Sequence, residues 1–208
     1  MNVSHIIYKV DNLQQAVEHY RARGFTVEYG KAKHPHNALI YFSEGPFIEL
    51  LAGTHMPKFM KRLLRFFGKG PQVDRLDGWD QHPGGPCGLA LETYEDNMQR
   101  ECAILADHGI GCTQVPTRRN DIKGRKLRFK VAYPDDTRVP FMMTYFNIDP
   151  KPKNYTHPNG VTGISEVTFY TSRELFPLMQ ALCDDPLLTL KEGRGEIHFT
   201  CASASDDL

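Results

Sequence analysis

Residues 36–53 read HNALIYFSEGPFIELLAG. Two apolar runs, Ala38 to Tyr41 and Phe47 to Leu51, carry what buried strands should carry. In the middle of the second run stands a carboxylate, Glu49. An ionised carboxylate buried alone is costly, so it needs a cation, hydrogen-bond donors or a raised pKa. Two readings of Glu49 stand open: a group facing a cavity, or half of a satisfied and inert polar pair.

Three segments share one plan around this stretch. SHIIYKVDNLQQAVEHYRARGF (4–25) predicts a strand and then a helix with Leu13, Ala16, Val17 and Tyr20 on one face, stopped at Gly24. CGLALETYEDNMQRECAILADHGI (87–110) repeats it, with Met98, Cys102 and Leu105 on the helix stripe and Gly109 at its end. SEVTFYTSRELFPLMQALCDD (165–185) repeats it again, with Pro177 in the tolerant first turns. Three strand-like runs follow each of the first two helices, and two follow the third. The chain therefore reads βαβββ, βαβββ and a shortened βαββ, which suggests a duplicated supersecondary unit. The expected fold class is α+β. Residues 1–148 form two modules (1–53 and 86–148) joined by a helix and long loop (54–85), and 149–208 form a linker and partial third module. The third unit is expected either to extend the sheet or to cover an open edge.

Two stretches stand outside the repeat. PKFMKRLLRFF (57–67) predicts an extra helix with Phe59, Met60, Leu63, Phe66 and Phe67 near one stripe and basic residues around it. A helix packed on the domain with a solvated basic edge is the favoured reading, a cavity lid comes second, and a membrane-surface helix comes last because the segment is short. GKGPQVDRLDGWDQHPGGP (68–86) reads as a long loop carrying Trp79.

The 208 residues hold 25 Lys plus Arg against 25 Asp plus Glu, so nothing in the overall charge asks for nucleic acid. No apolar run approaches the roughly twenty residues that cross a bilayer, and the first residues read as a strand rather than a signal peptide. Cys87, Cys102, Cys112, Cys183 and Cys201 are scattered without a CxxC pair, which predicts free thiols. Together these predict a cytoplasmic protein with neither nucleic-acid nor membrane partners.

Paired βαβββ units resemble the vicinal oxygen chelate superfamily, which includes glyoxalase I, extradiol dioxygenases, fosfomycin-resistance transferases and bleomycin-binding proteins. More narrowly, the chain is similar to the larger glyoxalase-like domain proteins. The likeness is carried by the His5 strand leading into VDNLQQAVEHYRARGF, by residues 36–53, and by HPNGVTGISEVTF (157–169). The resemblance implies two modules curling into one open sheet around a cavity, and homodimers are implied only by it. It also implies a divalent metal held by first and last strands of each module. In the first module those positions are His5 and Glu49, ligand types suited to Zn, Fe, Ni or Mn. The second module departs from the pattern, offering Gly88 or Leu89 and Met143 or Thr144. A third ligand is sought among His34, His36, His157 and Glu166.

His5 and Glu49 are accordingly the candidate catalytic and metal residues. Without metal, burial would raise the Glu49 pKa and a charged His5 would lower it, and Glu49 could serve as a general base beside a carbonyl. Asn37, Arg118, Tyr145, Asn147 and His157 are candidates for the substrate cavity. Arg118 and Arg119 have the chemistry to clamp a carboxylate or phosphate, or form an exposed basic pair. The leading expectation is an enzyme of isomerase, lyase or ring-cleaving type acting on a small organic molecule. The rival is a binding protein that sequesters an antibiotic-like compound with a degenerate metal site.

Overall fold

The structure, a computed structural model, describes residues 1–203. In the first module, β1 (Asn2–Lys9) leads into α1 (Leu13–Ala22), and β2 (Glu28–Tyr29), β3 (Asn37–Ile40) and β4 (Phe47–Leu51) follow. Asn12 caps α1 by accepting the Gln15 amide, at 3.1 Å, and Leu13 and Val17 are its buried residues. The second module comprises β5 (Gly85–Thr93), α4 (Gln99–Asp107), β6 (Cys112–Asn120), β7 (Lys126–Pro134) and β8 (Phe141–Thr144).

The first strand of each module lies parallel to its last, β1 to β4 and β5 to β8, and the two modules join where β1 and β5 run antiparallel. The result is one strongly curled, open sheet of eight strands in the order β2-β3-β4-β1-β5-β8-β7-β6. Alternation along each strand sends one set of side chains to the helices and the other into the hollow of the curl. Ile6, Ile48, Leu50, Leu89 and Leu91 take the first route and Ile7, Leu51, Ala90 and Phe141 the second.

The partial third unit has the expected βαββ order and departs from expectation only in its placement. Its strands β9 (Val161–Thr171), β10 (Leu188–Glu192) and β11 (Ile197–Ser203), with α5 (Phe176–Leu182) after β9, form a separate three-stranded sheet, order β10-β9-β11. β9 is parallel to β10 and antiparallel to β11, as β1 is to β4 and β5. The unit neither extends the large sheet nor pairs with its edges. Val167, Leu178, Met179 and Ile197 instead join the main core behind the sheet. Burial of that apolar set, about 25 cal/mol per Å² removed from water, is what fixes its place.

The segment expected as a long loop is largely helix: α3 spans Gly70–Gln81. Gly and Pro signals mislead here because Pro71 stands in the first turn, where a missing N–H costs nothing. Val73, Leu76 and Trp79 recur at threes and are buried. Arg75 is buried too and donates to the carbonyls of Pro134, Asp136 and Thr137, tying α3 to the β7–β8 turn.

Candidate active site

His5 and Glu49 converge on the hollow. β1 and β4 are parallel with His5 opposite Phe47 and Ile7 opposite Glu49, so His5 and Glu49 are diagonal neighbours on one face. His5 Nε2 and Glu49 Oε2 are 3.5 Å apart. The imidazole is 5% exposed, stacked on Phe47 at 4.6 Å and met edgewise by Phe141. Both groups line a cavity of about 360 Å³ whose other polar walls include Asn37, Thr117 and Arg119.

A bulge in β1 explains how His5 is oriented. Val3 pairs with Leu91 and His5 with Ala90, which leaves Ser4 as the extra residue. Val3 and Ile6 both reach the main core although they are three apart, so the alternation slips between them. Ser4 Oγ is thereby brought to 3.0 Å from His5 Nδ1, while its hydroxyl donates to Glu92 Oε2 at 2.6 Å. With the hydroxyl proton committed to Glu92, Nδ1 is the donor to Ser4 and Nε2 presents a lone pair to Glu49.

Burial, helped by the charges of Arg119 and Lys151, pushes the His5 pKa down to about 3. Burial raises the Glu49 pKa, and the Asn37 amide, donating to Oε1 at 2.7 Å, and Arg119 pull it partly back. The expectation that a charged His5 lowers Glu49 is thus corrected: His5 is neutral, and Asn37 and Arg119 take that part. Glu49 keeps 19% of its side-chain surface open.

Asn37 reaches Glu49 because Gly30 leaves room. A Cβ on Gly30 would stand 2.1 Å from Asn37 Oδ1. Arg119 is held over the cavity wall by bonds to the Gly30 carbonyl at 3.0 Å and the Tyr41 hydroxyl at 2.8 Å, with its guanidinium 5.7 Å from the Phe146 ring centre.

The remaining candidates, apart from His36 at the cavity rim, lie elsewhere. Arg118 alternates away from Arg119 on β6 and, with Tyr145 and Asn147, lines a neighbouring groove rather than the cavity wall around His5 and Glu49. Tyr145 donates to Asp149, and Asn147 is occupied by the backbone of Arg128 and Lys126. His157 is buried among Phe25, Phe42 and Tyr155, where its Nδ1 accepts the Thr26 amide, so it holds the turn His157–Gly160 against the first module. Glu166 and His34 are exposed, and His36 lines the cavity rim. Sequence reasoning missed Ser4, Glu92 and Trp79. The Val3–Ile6 spacing is the one signal for Ser4; Glu92 reads as a strand-end carboxylate, and Trp79 was hidden by the loop reading.

The donor set does not fit a three-ligand metal centre. Facing His5 and Glu49 from the second module are Phe141 and Met143, and Gly88 is covered by the Trp79 indole, 2.8 Å from where a Cβ would stand. Arg119 adds a cation to the same space. Among the described residues no three His, Cys, Asp or Glu side chains come together to hold an ion. His5 and Glu49 therefore stand as a polar pair, two donors short of a closed tetrahedral site.

An open curled sheet of paired βαβββ modules with polar residues on its inner wall defines a vicinal oxygen chelate fold. Residues 3–182 match the family described as "Glyoxalase-like domain", and the chain belongs to that family. A hypothetical protein from Staphylococcus aureus superimposes with a TM-score of 0.63 at 14% identity, over 93% of this chain and 87% of that one. A xylose isomerase-like TIM barrel/4-hydroxyphenylpyruvate dioxygenase fusion protein gives 0.53 at 14% identity, over 99% of this chain and 37% of the fusion. A methylmalonyl-CoA epimerase in complex with methylmalonyl-CoA and NH4+ gives 0.44 at 18% identity, over 73% and 98%. At 14% identity, the first two share the fold alone. A comparison with curated proteins gives no match.

Proposed function

We propose that the protein is a glyoxalase-like enzyme that moves a proton on a small organic molecule, by isomerase or lyase chemistry, with Glu49 as the base. The observation that supports this reading is the neutral His5 facing a half-buried, up-shifted carboxylate across 3.5 Å in a largely apolar cavity. A carboxylate whose pKa is raised by burial is a stronger base than an exposed one. Glu49 takes a proton from carbon beside a substrate carbonyl, and the bonding electrons move onto the carbonyl oxygen as an enolate. Arg119 stabilises that oxyanion. On an α-hydroxy carbonyl compound the hydroxyl proton then passes to the enolate oxygen, so that return of the carbon-derived proton to the former carbonyl carbon completes an isomerisation, whereas departure of a β-substituent with its bonding electrons completes a lyase step. The Nε2 lone pair of His5 accepts a hydrogen bond from a substrate hydroxyl and so fixes its pose. No step here uses a metal, because the donor set supplies two ligands.

The test is deuterium uptake. A panel of α-hydroxy and α-keto carbonyl compounds is incubated with the protein in D2O and followed by NMR. Turnover of at least one compound by the native protein, lowered by about 10²–10⁴-fold in Glu49→Gln, is the expected result. Compounds that raise the melting temperature without exchanging at carbon overturn catalysis in favour of sequestration.

A further inference from the structure

The helix α2 (Lys58–Phe66) is turned the opposite way to the sequence reading. It buries none of its residues. Phe59, Met60, Leu63, Phe66 and Phe67 are 68%, 41%, 51%, 83% and 66% exposed. Its charged side is the one that faces the protein. Lys61 is paired with Asp77 at 2.6 Å and Asp80 at 3.2 Å, and Arg65 with Asp74 at 2.7 Å and Asp77 at 3.1 Å, all on α3. Asp80 also accepts the amide and hydroxyl of Thr54, where the chain leaves β4. α3 is itself fixed by buried Val73, Leu76 and Trp79, so the acidic platform beneath α2 is firm. At 100° per residue, Lys61, Arg65, Lys58 and Arg62 fall on one arc and the five apolar residues on the other.

We propose that α2 is an interfacial anchor that lays its apolar face into an anionic lipid surface. The charge pattern selects this occupant. Residues 57–70, PKFMKRLLRFFGKG, contain no acid. Lys61 and Arg65 are neutralised from below, whereas Lys58 and Arg62 are exposed beside the apolar arc and make no ion pair among the described residues. Their stems can lie along the acyl boundary while the charges reach anionic headgroups. A second copy fits poorly. Its own α2 would bring only further cations against Lys58 and Arg62. The face of a nine-residue helix, about 14 Å by 10 Å, is also well short of the ~800 Å² per partner of a standard interface. The sequence alone ranks the lipid surface last because the helix is short; the ion pairs to α3 remove that objection by holding the short helix ready-made.

The test is sedimentation of the full chain with vesicles of phosphatidylcholine alone and with phosphatidylglycerol added. Binding to the anionic vesicles that falls as salt rises is expected. Phe59→Glu/Phe66→Glu alters two side chains that touch little of the fold, so it leaves the melting temperature in place and lowers the partition coefficient at least about tenfold. Lys58→Ser/Arg62→Ser abolishes the preference for anionic vesicles. Failure to bind anionic vesicles, or equal binding by the Phe59→Glu/Phe66→Glu variant, overturns the proposal. So does a native dimer that this variant dissociates without any vesicle binding, which would assign the face to a second copy.

Discussion

His5 Nε2 and Glu49 Oε2 face each other at 3.5 Å as two acceptors, because the Ser4 contact places the imidazole proton on Nδ1. Two lone pairs at that distance leave a place for something that carries a proton. Glu49 provides one itself when protonated, and a substrate provides one when Glu49 is ionised. The pair is thus arranged around a proton rather than around an ion pair.

Ser4→Ala tests the tautomer. It removes the hydroxyl between Glu92 and His5 and leaves buried Glu92, which is 2% exposed, without its closest donor. Stability should fall by about 1–3 kcal/mol. In the native protein, ¹⁵N NMR of the His5 ring should show a protonated Nδ1, and in the variant a mixture of tautomers. A native ring protonated on Nε2 would refute the assignment.

The pH dependence has two opposed arms. Folded His5 stays neutral down to about pH 3, while the unfolded imidazole takes a proton near 6.5. The unfolded state therefore binds more protons in that window, and this group lowers stability as pH falls, by about 1.4 kcal/mol per unit. Folded Glu49, with its raised pKa, keeps its proton above 4.5, where the unfolded carboxyl has lost it. This group lowers stability as pH rises from 4.5 through the folded pKa. Above 4.5, until Glu49 has lost its proton, the two act in opposite directions. Denaturant titrations should show Glu49→Gln with a steeper acid-side loss than the native protein. A flat profile for that variant over the same range would contradict the buried, neutral His5.

Gly30→Ala tests how Asn37 is held. A methyl group 2.1 Å from Asn37 Oδ1 forces the amide to swing away, and Glu49 loses its donor at Oε1. The fold should survive, since the displaced atom ends a side chain. The Glu49 pKa should rise further, moving the acid limb of any pH–rate profile, where Glu49 must lose its proton to act as the base, toward higher pH. An unchanged profile, with Asn37→Ala unchanged as well, would show that Asn37 does not tune Glu49.

The repeated strand–helix unit, the polarity of His5 and Glu49 on apolar strands, and the lack of ligand types in the second module are legible in the residues, because periodicity and residue type are local. The sites of Arg119 and Arg118 are separable by strand alternation once β6 has a register, but the register comes from pairing with β7. Loop-like composition concealed α3, whose helix is held by buried Val73, Leu76 and Trp79, contacts remote in sequence.

Residue type and periodicity set the modules, the strands that bear the polar pair and the amphipathic character of residues 58–66. Three further features arise from the folded chain. It placed Ser4 in a bulge that sets the proton on His5. It put apolar Phe141 and Met143 and the Arg119 cation where further ligands would be needed. It turned α2 outward. The reason is common to all three: each depends on which side chains meet across strands or helices far apart in the chain, and pairing register and charge contacts of that kind are settled by packing, not by local pattern.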